Sequence, residues 1–202
     1  DEIITEIDGL GCKIVGYADD LIILANGTHL PTIRDQLQIA LNKIIQWGDR
    51  NNLAFNPQKS QVLLSTRKYK YTLPDKLSIK GTPIEFSSSI KYLGLLIEKS
   101  LSWHSHLKKQ CTAAKKLLMM AKAAIGAEWG LTPERVKWIH AQIVRPKVAY
   151  GASVWAFRLT QADKDLLNSV QRLSLLNMTS CMRSTPTAGL EAGLGIPPLY
   201  LY

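Results

Sequence analysis

The chain has 202 residues, 46% hydrophobic and 20% charged, with a formal net charge of +9, a balance that excludes a disordered or collagen-like chain. Its apolar runs, such as residues 21–25, are at most five residues long, far shorter than the roughly 20 residues of a membrane span, so we expect no membrane segment. Three scattered cysteines argue against a disulfide framework or a zinc site and favour an intracellular protein, nuclear or cytoplasmic.

The first predicted elements surround an acidic pair. Residues 1–7 are typical of the end of an acidic helix. Residues 12–16 and 21–25 are runs rich in Ile, Val and Leu, which predict two β-strands. Because both runs are apolar throughout, we expect these strands to lie in the centre of a sheet. The connection between them predicts a hairpin tip and consists of Tyr17, Ala18, Asp19 and Asp20.

An amphipathic helix is predicted next, over residues 31–51. Its apolar side chains recur every three or four positions and form one stripe, made of Ile33, Leu37, Leu41, Ile44 and Ile45. An Asn-Pro turn at residues 56–57 then leads into a strand at residues 61–65. Two further β runs cover residues 77–86 and 90–97.

Helical patterns dominate after residue 100. A long helix is predicted over residues 102–127, with an apolar stripe made of Leu107, Cys111, Ala114, Leu118, Ala121 and Ile125. A Thr-Pro pair opens a second helix at residues 132–144, and a third covers residues 163–178. The sequence therefore predicts an α+β fold. Its α+β part covers residues 1–100, a basic helical part covers 101–195, and a Pro-Pro pair marks the start of a linker at 196–202.

The acidic pair is the sharpest candidate for chemistry. Carboxylate oxygens grouped at a strand end are ligands that Mg²⁺ takes, usually together with substrate phosphates. At ~5 Å and an effective dielectric constant near 20, two carboxylates repel each other by about 3 kcal/mol, whereas in full solvent this falls below ~1 kcal/mol. An exposed Asp-Asp turn without a ligand stays the alternative, because two carboxylates alone make an incomplete metal site.

Basic residues supply two further candidates. Lys59 follows the Asn-Pro turn, where it could neutralise or protonate a departing pyrophosphate, or be a solvated loop lysine.

Residues 101–202 carry 13 Lys and Arg against 5 Asp and Glu, whereas residues 1–100 carry 12 against 11. Five lysines of the long helix share or flank one face and could follow a phosphate backbone: Lys108, Lys109, Lys115, Lys116 and Lys122. A solvated lysine face that keeps the protein soluble is the alternative.

In their order, these segments resemble a known family. The Y-x-D-D hairpin in the palm of reverse transcriptases is similar to Tyr17-Ala18-Asp19-Asp20, and the next palm motif, N-x-x-K-[ST], is similar to residues 56–60. The Y-L-G primer-grip segment is similar to Tyr92-Leu93-Gly94. Residues 143–155 and 183–199 resemble the thumb and post-thumb regions of non-LTR retrotransposon polymerases.

The resemblance implies an RNA-directed DNA polymerase. The implied fold is a partial palm, an antiparallel β-hairpin sheet with a helix, followed by an all-helical thumb. Asp19 and Asp20 would bind Mg²⁺, with two ions in the complete enzyme, and Lys59 would take the general-acid position. The residues near the primer end or the incoming nucleotide would be Tyr17, Ala18, Tyr92, Leu93 and Gly94. The implied partners are an RNA template, a DNA primer and deoxynucleoside triphosphates, with the five lysines on the hybrid backbone.

The same resemblance also implies a third carboxylate on an earlier palm strand and fingers that bind the nucleotide, and neither has a counterpart in this sequence. We therefore expect the isolated chain to be inactive. A non-catalytic nucleic-acid-binding remnant or domesticated fragment of such an element is the main alternative. A group II intron-like maturase shares the Y-A-D-D hairpin, although residues 150–152 and 183–199 favour the retrotransposon, and a purely structural α+β module is the last alternative.

Overall fold

A computed structural model describes Ile7 and residues 10–124 and 131–201. Apart from Ile7, the acidic helix predicted for residues 1–7 lies outside the described residues, as does the predicted end of the long helix beyond residue 124. The chain divides into two compact units, Asp1–Ile90 (unit 1) and Lys91–Tyr202 (unit 2). Helices and short strands are both present, so the predicted α+β class is confirmed. None of the described helices is long and apolar enough to cross a membrane.

Unit 1 contains the predicted β-hairpin. β1 (Cys12–Tyr17) pairs antiparallel with β2 (Asp20–Ala25). Successive side chains of a strand point to opposite faces, so Cys12 and Ile14 face the core, whereas Val15 is exposed. Within the described part of the chain these strands pair only with each other. The prediction of a position in the centre of a sheet is wrong there. The apolar residues of a strand do not show whether a further strand pairs with its free edge.

One helix, α1 (Leu30–Arg50), organises the rest of unit 1. Its residues Ala40 and Ile44 pack in one cluster with the core face of the hairpin. On a neighbouring face, Ile45 packs with Ile79 and Ile84. The strands beyond it are short: β3 (Val62–Leu63) pairs in parallel with β6 (Phe86–Ser87), and β4 (Ser78–Ile79) pairs antiparallel with β5 (Thr82–Pro83).

Unit 2 is mainly helical. A hairpin of β7 (Ser89–Tyr92), which begins in the last two residues of unit 1, and β8 (Leu95–Glu98) precedes its helices. The helices that follow are α2 (His104–Ala123), α3 (Pro133–Ile139), α4 (Arg145–Val148), α5 (Ala152–Trp155), α6 (Gln161–Thr179) and α7 (Thr187–Leu194).

A π-helical turn, His140–Val144, joins α3 to α4, so that this helix runs past its predicted end at residue 144. The backbone N–H of Arg145 donates to the carbonyl of His140, five residues earlier. Pro146 has no N–H and its ring would clash with the carbonyl four residues back, so the regular helical ladder cannot pass through it. The wider turn accommodates the proline within a continuous helix.

The core of unit 2 is built on the predicted stripe of α2. Its members Leu107, Cys111, Ala114 and Leu118 are buried and join residues of α4, α5 and α6, namely Val148, Trp155, Leu167 and Val170. Leu199 joins the same cluster, and the Gln171 side chain donates to the Pro197 carbonyl at 3.0 Å. Residues 197–199, expected to begin a linker, therefore pack against the helical core.

Candidate functional site

The two aspartates lie at the exposed tip of the β1–β2 hairpin. Tyr17 stands opposite Asp20 in the register, and Ala18 and Asp19 form the two-residue connection. All four residues are exposed, Tyr17 by 64%. Ala18 has a φ of +52°, a left-handed conformation that is strained for a residue with a Cβ atom. The tip therefore presents both carboxylates to solvent on a tight and strained turn.

Mg²⁺ binds carboxylate oxygens, and the hairpin tip carries two such side chains on consecutive residues. Among the described residues, no group of three or more His, Cys, Asp or Glu side chains is arranged to hold a metal ion. Asp19 and Asp20 are of the donor type that Mg²⁺ takes, and two carboxylates alone do not complete a site, which would need further oxygen ligands.

Lys59 lies on a tight turn that the preceding asparagine organises. The Asn56 side chain accepts a hydrogen bond from the Gln58 backbone at 2.9 Å, and the Asn56 carbonyl accepts one from the Ser60 hydroxyl at 2.9 Å. The Lys59 backbone N–H also donates to that carbonyl, at 3.2 Å. The turn leaves the lysine side chain exposed, and none of the ion pairs between described residues joins it to Asp19 or Asp20.

The Y-L-G segment forms the turn between β7 and β8. Leu93 has a φ of +45° and Gly94 a φ of +82°, a pair of positive values typical of a type I′ hairpin turn. The first of these is strained for leucine. The hydroxyl of Tyr150, 57 residues later in the chain, donates to the Leu93 carbonyl at 2.8 Å. In the sequence, Tyr150 lies only within the range 143–155 that resembles a thumb. Its contact with Leu93 was not predicted, because no local pattern indicates a pairing between residues so distant in sequence.

Three of the five predicted backbone-binding lysines line one shallow groove on α2. The groove has a volume of about 430 Å³ and is lined by Ser105, Lys108, Lys109, Thr112, Ala113 and Lys116. Lys122 is exposed near the end of α2, whereas Lys115 is half-buried. This arrangement of cations and hydroxyl groups suits an anionic backbone.

Unit 2 also buries ionisable groups among its helices. Burial and the charge of Arg145 lower the pKa of His140 to about 4, and its Nδ1 lies 2.9 Å from the Ser174 hydroxyl. Burial likewise lowers the pKa of His106. Burial raises the pKa of Asp163, but hydrogen bonds from Thr160 and His104 outweigh it, and the net shift is downward. These groups support the helical core of unit 2.

Residues 1–97 match the family "Reverse transcriptase (RNA-dependent DNA polymerase)". A 115 kDa protein of the type-1 retrotransposable element R1DM from Drosophila melanogaster is 25% identical over 191 residues, which are 94% of this chain and 18% of that protein. The RNA-directed DNA polymerase from mobile element jockey, also from Drosophila melanogaster, is 24% identical over 97% of this chain and 21% of its own length.

Residues 1–97 are thus similar to the reverse transcriptase family, and the chain as a whole is similar to proteins of non-LTR retrotransposons. The predicted resemblance is thereby confirmed. The Pol polyprotein from element R1 of Nasonia vitripennis is 22% identical over 94% of this chain and 57% of that protein. The chain thus spans from under a fifth to somewhat over half the length of these relatives. No solved structure matches it significantly.

Proposed function

We propose that this chain supplies part of the catalytic palm and the thumb of an RNA-directed DNA polymerase. In the proposed reaction, the 3′-hydroxyl of a DNA primer attacks the α-phosphate of a deoxynucleoside triphosphate paired with an RNA template, and pyrophosphate leaves. The observation that carries the proposal is the pair of exposed aspartates at a strained hairpin tip, within the segment that matches the family. Residues 1–100, with the primer-grip segment, are assigned to the palm, and residues 101–195 to the helical thumb.

Each proposed role follows from the chemistry of the side chain. Asp19 and Asp20 hold the divalent cations, which supply charge neutralisation on the triphosphate and a lowered pKa of the primer hydroxyl. The ammonium group of Lys59 neutralises or protonates the departing pyrophosphate. Tyr17 and Ala18 lie near the nucleotide and the primer end, and Tyr92, Leu93 and Gly94 help to hold the primer end.

The groove on α2 is proposed to bind the backbone of the RNA–DNA hybrid. Lys108, Lys109 and Lys116 project along it without an acidic partner among the ion pairs of the described residues. Their charges are therefore available to phosphates. Backbone contacts of this kind hold the hybrid irrespective of its sequence.

Cleavage directed by Fe²⁺ tests the metal role of the hairpin tip. With Fe²⁺ in place of Mg²⁺, hybrid and nucleotide present, and ascorbate and peroxide added, we expect backbone cleavage next to residues 19 and 20. Asp19→Asn should abolish this cleavage because it removes a charged ligand, whereas the exposed control Asp75→Asn should retain it. An unchanged cleavage pattern in Asp19→Asn would contradict the proposed role of Asp19 as a metal ligand.

The main alternative is a non-catalytic module that binds nucleic acid. It is favoured by the absence of a third carboxylate beside Asp19 and Asp20 among the described residues. This alternative requires hybrid binding that Asp19→Asn does not weaken in Mg²⁺. We expect no primer extension by the isolated chain under either proposal, and Mg²⁺-dependent extension by it would overturn that expectation.

A further inference from the structure

The turn that is proposed to support the primer end is fixed from outside the hairpin, by one tyrosine. The Tyr150 hydroxyl donates to the Leu93 carbonyl at 2.8 Å. Its ring lies over Gly94, where an added Cβ atom would be 2.9 Å from the ring carbon Cε1. Hydrogen bond and ring contact therefore hold both central residues of the turn.

The contact is reciprocal, since the hairpin also holds the segment that carries the tyrosine. Gly151 has a φ of +71°, and a Cβ atom there would lie 2.4 Å from a methyl carbon of Leu95. Each of the two turns thus packs a side chain against a glycine of the other. Two glycines at positive φ, one in each segment, permit this close approach.

Tyr150 is itself anchored to the buried core. The indole N–H of Trp155 donates to the Tyr150 carbonyl at 3.0 Å, and Trp155 is buried. A second anchor holds β8, where the Leu96 N–H donates to Nδ1 of the buried His106 at 3.3 Å. Groups on α2 and α5 thus hold the turn in addition to its own two strands.

The tyrosine is a poor candidate for a residue that merely fills the core. Tyr150 is 50% exposed, so its ring contributes less burial than an enclosed aromatic side chain. Its hydroxyl is directed to the carbonyl of a strained and exposed residue, Leu93. Such a hydrogen bond selects one conformation of a turn that its own backbone preferences do not favour.

We propose that Tyr150 is a positioning residue for the Leu93-Gly94 turn and thereby sets where this turn meets the primer 3′ end. The inference rests on the primer role proposed above for that turn. Removal of the hydroxyl alone releases the turn without removing the ring that packs on Gly94, so Tyr150→Phe separates positioning from packing.

The test uses the 202-residue chain and an RNA–DNA hybrid whose recessed primer ends in 4-thiothymidine. Irradiation should crosslink the primer end to residues 92–95, as mapped by mass spectrometry. Tyr150→Phe should lower that yield about threefold to tenfold, the effect of one lost hydrogen bond. Its Kd for a blunt hybrid should stay near the wild-type value, and its Tm should fall by no more than the few degrees that one lost hydrogen bond accounts for. Tyr69→Phe, on a fully solvated tyrosine, is the matched control and should crosslink as the wild type does.

The outcomes separate this inference from the function on which it rests. Wild-type crosslinking to residues 92–95 that Tyr150→Phe leaves unchanged would overturn the positioning role and keep the primer role of the turn. A wild-type crosslink that maps elsewhere would overturn both. A parallel fall in crosslinking, blunt-hybrid binding and Tm in Tyr150→Phe would show a purely structural residue, and would also overturn the positioning role.

Discussion

At the scale of single residues, one added methyl group tests the packing of the Leu93-Gly94 turn. Gly94→Ala places a Cβ atom at a φ of +82° and 2.9 Å from the Tyr150 ring. The left-handed conformation costs an alanine about 1–2 kcal/mol, and the contact with the ring adds to that. We expect the free energy of unfolding of unit 2 to fall by about 1–3 kcal/mol in urea denaturation.

Gly189 provides the matched control for this substitution. It lies in α7, has no positive φ, and an added Cβ atom would meet nothing within 4 Å. Gly189→Ala should therefore raise the free energy of unfolding by up to about 1 kcal/mol, since alanine favours helix over glycine. Equal effects of the two substitutions would contradict the packing described at the turn.

At the scale of elements, α2 makes a quantitative prediction about salt. If its five lysines each neutralise one phosphate, log K for hybrid binding falls against log salt concentration with a slope near −4.5. Lys108 and Lys116 both line the groove, so replacing both with alanine should reduce the steepness by about 1.8. Fluorescence anisotropy at several KCl concentrations measures this slope.

The control for the lysine pair is Lys80→Ala. Lys80 is exposed but lies 2.7 Å from Asp49, so a local carboxylate already neutralises its charge. The slope of this variant should match the wild type. If the salt slope of hybrid binding is unaffected by the loss of Lys108 and Lys116, the groove does not contact the nucleic-acid backbone.

The elements that the sequence predicted well are those whose patterns are local. The 3.6-residue spacing of apolar side chains predicted a helix at residues 31–51, and α1 is Leu30–Arg50. Likewise, two apolar runs around a four-residue connection predicted the hairpin that carries Asp19 and Asp20. The turn around Lys59 followed from its Asn-Pro pair.

What the sequence did not predict depends on contacts between distant segments. The hydrogen bond from Tyr150 to Leu93 joins residues 57 positions apart, and no periodic pattern in the sequence indicates it. The exposed second face of the hairpin could not be foreseen, because a strand's own residues do not say what covers them. The π-helical turn arises from one proline, which local rules read as the end of a helix.

At the scale of the whole molecule, each unit has its own buried cores. Residues such as Ile14 and Ile44 belong to unit 1, and residues such as Leu107 and Leu167 belong to unit 2. Their ionisable groups also differ. The described groups with a lowered pKa all lie in unit 2. In unit 1 the described shift is the raised pKa of the buried Cys12 thiol. A raised thiol pKa affects stability only at alkaline pH. The two units should therefore respond differently to acid.

Acidification should destabilise unit 2 before unit 1. Unfolding returns His140 from a pKa of about 4 to an ordinary 6.5, so between these values the unfolded state binds a proton that the folded state does not. The free energy of unfolding then falls with falling pH, by at most about 1.4 kcal/mol per pH unit for each such histidine. His106, whose pKa is also lowered, adds to this loss, whereas Asp163 contributes only below its unfolded pKa near 3.8.

Hydrogen exchange at several pH values, corrected for intrinsic rates, resolves the two units separately. We expect amides of α2 and α6 to lose protection between about pH 6.5 and 4 while those of α1 keep theirs. His140→Gln, which keeps a polar side chain beside Ser174, should flatten the pH dependence in unit 2. His29→Gln, at an exposed position in unit 1, should leave it unchanged. Parallel loss of protection in α1 and α6 would show that the buried histidines do not govern the acid response, because α1 lies in a unit whose described residues include no buried histidine.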